Sequence, residues 1–332
     1  MFRRSLLVAY FAAVLPLVIL SAQADDPPHP KQGSGIIIEL DNAFITKYMD
    51  RATINGDFKP TALSKIHKAD KDGEVHVAGM FDVSKLPTVA EVMNAKNEGK
   101  AAEQALRTAA AAGKTVKIEG AWRLWCEHSG TLNQIQGKPF TLPQLGVPPS
   151  NPDHVFEIHP VTTVTPEGGV KIDALPSISD TPGHQPHDAV KAFQLGYENV
   201  PCKIVPLEGD RTRIITKGIG FNFVEFIIRA NEAPKAIADG HTLMASVLDT
   251  DGELVIRRRR MVFIKGTDAD TAIAGATEGK RFKAIGIPRI SLKLVDFRVR
   301  NKDNIQFDKP LEWDLPYEMI IVSADPVTGS DD

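Results

Sequence analysis

Apolar residues in this chain come in short runs closed by turn residues, and only one stretch breaks that rule. GIIIEL (35–40), FITKYMDRATI and ALSKIHKA come first. KADKDGEVHVAGMF then carries Asp72-Gly73, a hairpin signal, ahead of an alternating strand. KTVKIEGAWRLWCEH and HVFEIHPVTTV follow further on. The exception lies between them. Thr88 with Glu91 three residues later has the spacing of a capping box, an Ala-rich run continues to Ala112, and Gly113 is a stop signal. This predicts a helix over 88–112, with Gly99 able to split it. Strand, strand, strand, helix, strand, strand is the order of an OB-like small barrel with one inserted helix. The sequence therefore reads as mainly β, with that barrel over 35–172. Residues 173–188 are rich in Pro, Ser, Gly and Asp and read as a linker. KIVPLEG, TRIITKGIGFNFVEFIIRAN, TLMASVLDTDGELVIRRRRMVFIKG, RISLKLVDFRVRN and EMIIVSA read as strands and predict a second, β-sandwich-like domain over 189–332.

The first residues set the compartment. Arg3 and Arg4 precede a nearly unbroken apolar run from Leu6 to Leu20, and Ala22-Gln23-Ala24 is a small-x-small cleavage site. This is the layout of a signal peptide over 1–24, followed by a Pro/Gly/Ser tail over 25–34. The run is short for a membrane anchor, and no later run could span a bilayer. The expected product is a soluble secreted or periplasmic bacterial protein. Lys+Arg number 39 against 42 Asp+Glu, and the leader takes two arginines with it. An acidic balance offers no general attraction to nucleic acid, so nucleic acid is set aside and saccharide or peptide is expected as the ligand class. The two cysteines, Cys126 and Cys202, are a candidate disulfide in an oxidising compartment, the alternative being two separate buried thiols.

NPDHVFEIHPV (151–161) puts two histidines and a glutamate within six residues. In a regular strand Glu157 and His159 share a face, while His154 points away. Glu74-Val75-His76 repeats the Glu-x-His spacing, and Glu127-His128 ends the strand after the helix. The candidate catalytic residues are His76, His128, Glu157 and His159, with Glu74, Glu127 and His154 behind them. His76, His128 and His159 are candidate ligands of zinc or another divalent metal. A His–Glu pair also suits acid–base chemistry near neutral pH. The bland alternative is a polar sheet face whose rings bond to nearby carboxylates. No G-x-S-x-G, P-loop or C-x-x-C is present. Trp122 and Trp125, with Phe140 and Phe156, are candidate stacking residues for a ligand, although aromatics at strand spacing commonly form core. His184 and His187 fall in the linker. In Arg257 to Arg260, alternation sends two arginines to each side of a strand.

These residues resemble a pattern in exported bacterial proteins of unknown function. It runs D-G-D-x-H, I-A-E, a helix, V-x-V-x-G with a following His, and A-P-N-x-x-E-L-H-P-V. The matching positions are Asp72, Gly73, His76, Ala90, Glu91, Gly120, His128, Asn151, Glu157, His159, Pro160 and Val161. Trp122, Leu124, Trp125 and His128-Ser129-Gly130 stand where that pattern has a phenylalanine pair and H-G-Q. The resemblance spans Lys68 to Val164 and implies no named reaction. The leading expectation is a ligand- or polymer-binding β protein. The alternatives are a metal-dependent, nuclease-like hydrolase and a structural envelope protein.

Overall fold

The computed structural model describes residues 35–67, 73–130, 133–138, 149–174, 185–301 and 312–327. The expected leader and tail, Phe140, His184 and most of the expected linker lie outside them. Among the described residues no helix is long and apolar enough to cross a membrane.

β1 (Ile36–Asp41) and helix α1 (Asn42–Tyr48) come first among the described residues, so the strand expected from FITKYMDRATI is corrected: its first half is helical and only its end enters a strand. Then come β2 (Thr53–Leu63), β3 (Val75–Phe81), β4 (Pro87–Val92), α2 (Lys100–Ala112), β5 (Val116–Leu124), β6 (Gln134–Ile135) and β7 (Phe156–Pro166). The sheet order β4-β3-β2-β5-β7 closes on itself because β4 also pairs in parallel with β7, Thr88 opposite Phe156. This is a five-strand OB-like barrel with α2 between its third and fourth strands. Ile54, Phe58, Val75, Val77, Val116, Ile118, Trp122, Phe156 and Ile158 are buried in its core.

The helix expected over 88–112 is corrected at its start. Residues 87–92 form β4, all six buried, and the helix begins at Lys100 behind Gly99. The Thr88 hydroxyl does not cap a helix. It donates to the Leu86 carbonyl and lies 2.9 Å from Ser84 Oγ. Pairing with β3 on one edge and β7 on the other outweighs the local capping signal. Gly113 does end the helix as expected, in the left-handed region at φ 63°.

β8 (Ile172–Asp173) and β9 (His187–Asp188) bracket the undescribed stretch. β10 (Pro201–Leu207), β11 (Arg211–Thr216), β12 (Val224–Ala230), β13 (Lys235–Ile237), β14 (Gly240–Leu248) and β15 (Leu254–Ile264) follow. The described chain ends with α3 (Asp268–Ile273), β16 (Arg281–Ile290), α4 (Leu292–Arg300), β17 (Glu312–Asp314) and β18 (Tyr317–Pro326), so the strand expected from RISLKLVDFRVRN is corrected to the end of β16 followed by a helix. In the order β14-β15-β18-β16-β12, the β14–β12 pairing closes a second five-strand barrel. Its order matches the first: the third and fifth strands, β15 and β18, run parallel, and α3 sits between the third and fourth. A third sheet, β17-β10-β11-β1-β6, joins distant parts of the chain, with Ile36 opposite Thr216.

The barrels meet through an apolar patch that includes Ala52, Met93 and Ala121 against Phe223, Val262, Ile287 and Ile320. Arg289 of β16 is fully buried beside it. Its guanidinium donates to the carbonyls of Arg51, Ala52 and Trp122 at 3.0–3.2 Å, bonds Glu318 at 2.7 Å and lies 3.6 Å from the Trp122 ring centre. Burial pulls Arg289 down to about 10 in spite of Glu318. Burial pushes Glu318 up, but Arg289 and Arg260 together hold it below the usual carboxylate range.

The expected disulfide is corrected: Cys126 and Cys202 are free, buried thiols. Both pack in the apolar core, Cys126 just past the end of β5 and Cys202 on β10, and burial pushes Cys202 up to about 12. The stacking role of Trp122, Trp125 and Phe156 is corrected too, since all three are 0% exposed. The Trp122 indole N–H donates to the Arg51 carbonyl, and Trp125 packs edge-on against Tyr197.

Replacing Arg289 by Met takes a donor from three carbonyls, of which that of Arg51 keeps the Trp122 indole N–H, and leaves Glu318 one cation short. Urea unfolding is expected to show a loss of about 3–5 kcal/mol, with a smaller loss for Arg289→Lys. The stabilisation from Glu318 is expected in full above its unfolded value of about 4.3, fading as pH falls through its lower folded value.

Candidate functional site

Strand register gathers the charged side chains of the first barrel. His76 on β3 is opposite Glu91 on β4. Val89 of β4 is opposite Glu157 of β7, which brings Glu91 alongside His159. Arg123 on β5 is opposite Glu157 from the other edge. These side chains turn toward the second barrel. Arg123 Nε donates to the Pro288 carbonyl at 2.9 Å, and the His159 ring meets Phe223 edge-on at 5.4 Å. Glu74, Glu91, Arg123, His154, Glu157 and His159 are at most 1% exposed.

His159 lies between carboxylates. Nε2 is 2.9 Å from Glu74 Oε1, and Nδ1 is 2.8 Å from Glu91 Oε2 and 3.5 Å from Glu157 Oε2. Burial favours the neutral ring, but Glu91 and Glu74 outweigh it and raise His159 well above the usual histidine range. Burial pushes Glu91 up, while His159 and His76 bring it down to about 2. Glu157 ends well below its ordinary value: burial raises it, and Arg123 with the two neighbouring histidines lowers it further. Arg123 donates to Glu157 through one nitrogen and to Glu127 at 3.0 Å through the other. Burial alone would lower Arg123, and the surrounding glutamates raise it instead. Burial raises Glu127 above its ordinary value.

His154 completes the cluster, which corrects the strand-phase argument that set it aside. β7 begins only at Phe156, so alternation does not govern residue 154. Its Nδ1 is 2.6 Å from the Pro152 carbonyl, which can only accept, so Nδ1 carries a proton. That leaves Nε2 facing Glu157 Oε1 at 3.3 Å. Four buried atoms in the cluster have no aligned hydrogen-bond partner: Glu91 Oε2, His154 Nε2, Glu157 Oε1 and His159 Nδ1. Glu91 Oε2 and His159 Nδ1 face each other as an ion pair, whereas His154 Nε2 and Glu157 Oε1 meet without an aligned hydrogen bond, a costly arrangement that a cation between them relieves.

Two groups have the donor set for a divalent metal. Glu91, His154 and Glu157 each offer one ligand atom within 4.8 Å of the others, and so do Glu74, Glu91 and His159. Imidazole and carboxylate donors suit zinc and its first-row neighbours. Two ligands on a tetrahedral zinc lie roughly 3.3 Å apart, the spacing of His154 Nε2 and Glu157 Oε1. A ligating histidine commonly donates its other N–H to a carbonyl, as His154 does.

Of the residues expected from sequence, Glu157 and His159 are central. His76 sits at the edge, 3.8 Å from Glu91 Oε1. β5 stops at Leu124, so His128 lies past the strand, where its ring stacks on His154 at 5.3 Å. As a metal set, His76, His128 and His159 is corrected: only His159 belongs to a convergent group among the described residues. Glu91 and Arg123 are site residues that the sequence reading does not single out, and His154 stands there only behind the four leading candidates. Glu91 was hidden by the capping-box spacing, and Arg123 was visible only as a lone charge in an apolar strand.

No family model matches the chain, and no curated protein does. A search of solved structures finds similar chains. One is "Crystal structure of Ifi202 HINa domain in complex with 20bp dsDNA", 9% identical over 83% of this chain and 97% of that one, at a TM-score of 0.19. A second is "Structural mimicry for functional antagonism", 9% identical over 86% and 99%, at 0.18. A third is "Molecular basis for abrogation of activation of pro-inflammatory cytokines", 8% identical over 85% and 99%, at 0.18. Likeness at that level carries no argument about the ligand of this chain. The expectation that set nucleic acid aside is corrected on its own premise, the charge balance. Net charge averages a whole surface and excludes no partner class by itself.

In metal-free protein the His159 ring is expected to stay doubly protonated at pH 7, observable by nitrogen NMR of the imidazole. Its stabilisation is complete below the unfolded value of about 6.5 and is lost as pH rises through the higher folded value. Glu91→Gln is expected to move the titration downward. A ring already neutral at pH 7 contradicts this assignment.

Proposed function

We propose that this chain is an exported β protein that binds one divalent metal ion of the zinc class between its two barrels, with Glu91, His154 and Glu157 as ligands. The observation that carries the reading is the convergence of Glu91, His154 and Glu157 within 4.8 Å, with His154 Nε2 and Glu157 Oε1 buried and facing each other without an aligned hydrogen bond. His154 Nδ1 is already taken by the Pro152 carbonyl, which leaves Nε2 as the ligand atom. Arg123 holds Glu157 in place, and His159 holds Glu91. Export rests on the arginine-led apolar segment and its Ala22-Gln23-Ala24 site. The positions shared with the exported bacterial proteins of unknown function include His76, Glu91, His128, Glu157 and His159, which fits a pattern that encodes this cluster.

The reading favours binding over hydrolysis because the cluster is closed. A catalytic metal keeps a position open to water and substrate. Two cavities of about 690 and 440 Å³ lie elsewhere, one lined by Lys59, Met80 and Lys138, the other by Arg258, Lys293 and Phe297. Bound metal supplies positive charge that joins β4 and β7 to the segment before β7.

Elemental analysis of the purified mature protein is expected to find one zinc-class ion per chain. Saturating zinc is expected to stabilise metal-stripped protein, by about 2.7 kcal/mol at roughly 100 times Kd. His154→Ala is expected to abolish that stabilisation while the fold persists. Protein that retains no metal and shows no thermal shift with zinc, cobalt or manganese overturns the reading.

A further inference from the structure

A site this deeply buried needs a route by which the ion arrives, and a row of imidazoles leads to it. His67 and His128 are half-buried, His76 is 6% exposed and His154 is 0%. The His67 and His76 ring centres are 4.5 Å apart, His76 and His128 are 6.2 Å apart, and His128 stacks on His154 at 5.3 Å with the planes 19° from parallel. The backbone fixes the row. The His154 N–H donates to the His128 carbonyl at 2.8 Å, the His67 N–H to the Glu74 carbonyl at 2.9 Å, and the His76 N–H to Ser64 Oγ at 3.0 Å. His76 Nε2 also lies 3.8 Å from Glu91 Oε1, a second entry into the ligand group.

We propose that His67, His76 and His128 form a loading path that hands a divalent cation from solvent to the Glu91–His154–Glu157 group; the path rests on the metal-binding reading above. Imidazole is a ready ligand for such ions, and each neighbour lies within one ring's reach of the last. Transfer is ligand exchange: one metal–nitrogen bond breaks as the next forms, with no change of oxidation state, and any proton displaced from a ring passes to solvent. His67, His76 and His128 hold the ion only in transit, which is why they do not converge with the final ligands.

The test mixes metal-stripped full-length mature protein with Co²⁺ in a stopped-flow instrument and follows the visible absorbance of the bound ion. Chelator competition gives stoichiometry and affinity at equilibrium. His67→Ala/His128→Ala is expected to load about tenfold more slowly, with final occupancy and Kd unchanged. His67→Gln and His128→Gln, which preserve bulk, are expected to slow loading in the same direction should the double variant fail to fold. His241→Ala, at a histidine bonded to Asp270 on the second barrel, is expected to load at the wild-type rate. Unchanged loading in the double and Gln variants overturns the path. So does a fall in final occupancy, which would make these residues ligands rather than carriers. A wild-type protein that takes up no cobalt sinks the metal reading and the path together, a result distinct from either.

Discussion

Trp122-Arg123 of the first barrel and Pro288-Arg289 of the second exchange hydrogen bonds. The Arg123 side chain reaches the Pro288 carbonyl, and the Arg289 side chain reaches the Trp122 carbonyl. Both arginines are fully buried, and each also holds a buried glutamate: Glu157 for Arg123, Glu318 for Arg289. A buried charge is tolerable only when its partners are in place, so neither barrel can present this face to another surface without stranding an ion. The apolar patch supplies attraction between the barrels, and the arginine exchange fixes how they meet.

The same exchange sets the site. Glu157 is a usable ligand because Arg123 keeps it charged and fixed, and Arg123 in turn is held by the second barrel. Glu91 is kept charged by His159, whose other nitrogen is taken by Glu74. The cluster thus carries its own counter-charges, yet it still leaves His154 Nε2 and Glu157 Oε1 without an aligned hydrogen bond. Disturbing the seam therefore disturbs the cluster, and variants at Arg289 should be read with that coupling in mind.

Much of the first barrel was legible because its evidence is local. Alternation placed Glu157 with His159 and Glu74 near His76, and the order of strand signals gave the OB-like arrangement. What was hidden depended on distant pairing. Thr88 to Glu91 fits a helix cap as well as any real one does, and only the parallel partner β7 makes it a strand. His154 was dropped because nothing in NPDHVFEIHPV marks Phe156 as the first paired residue. Closure of the second barrel needs the parallel β15–β18 contact across α3, β16 and α4, which leaves no trace in either segment alone.

The strand synthesised first in the described chain is not completed by its neighbours. β1 forms its long ladder with β11, Ile36 opposite Thr216, after the whole first barrel has been made. That barrel closes with strands from β2 to β7 and does not need β1. So as the chain emerges, β1 has only its short pairing with β6, Ile38 opposite Gln134, and its other edge stays open while the segment behind it folds. Such an edge invites pairing with other chains until β11 arrives. The third sheet then acts as a late clasp, joining the oldest segment of the chain to one made after the first barrel.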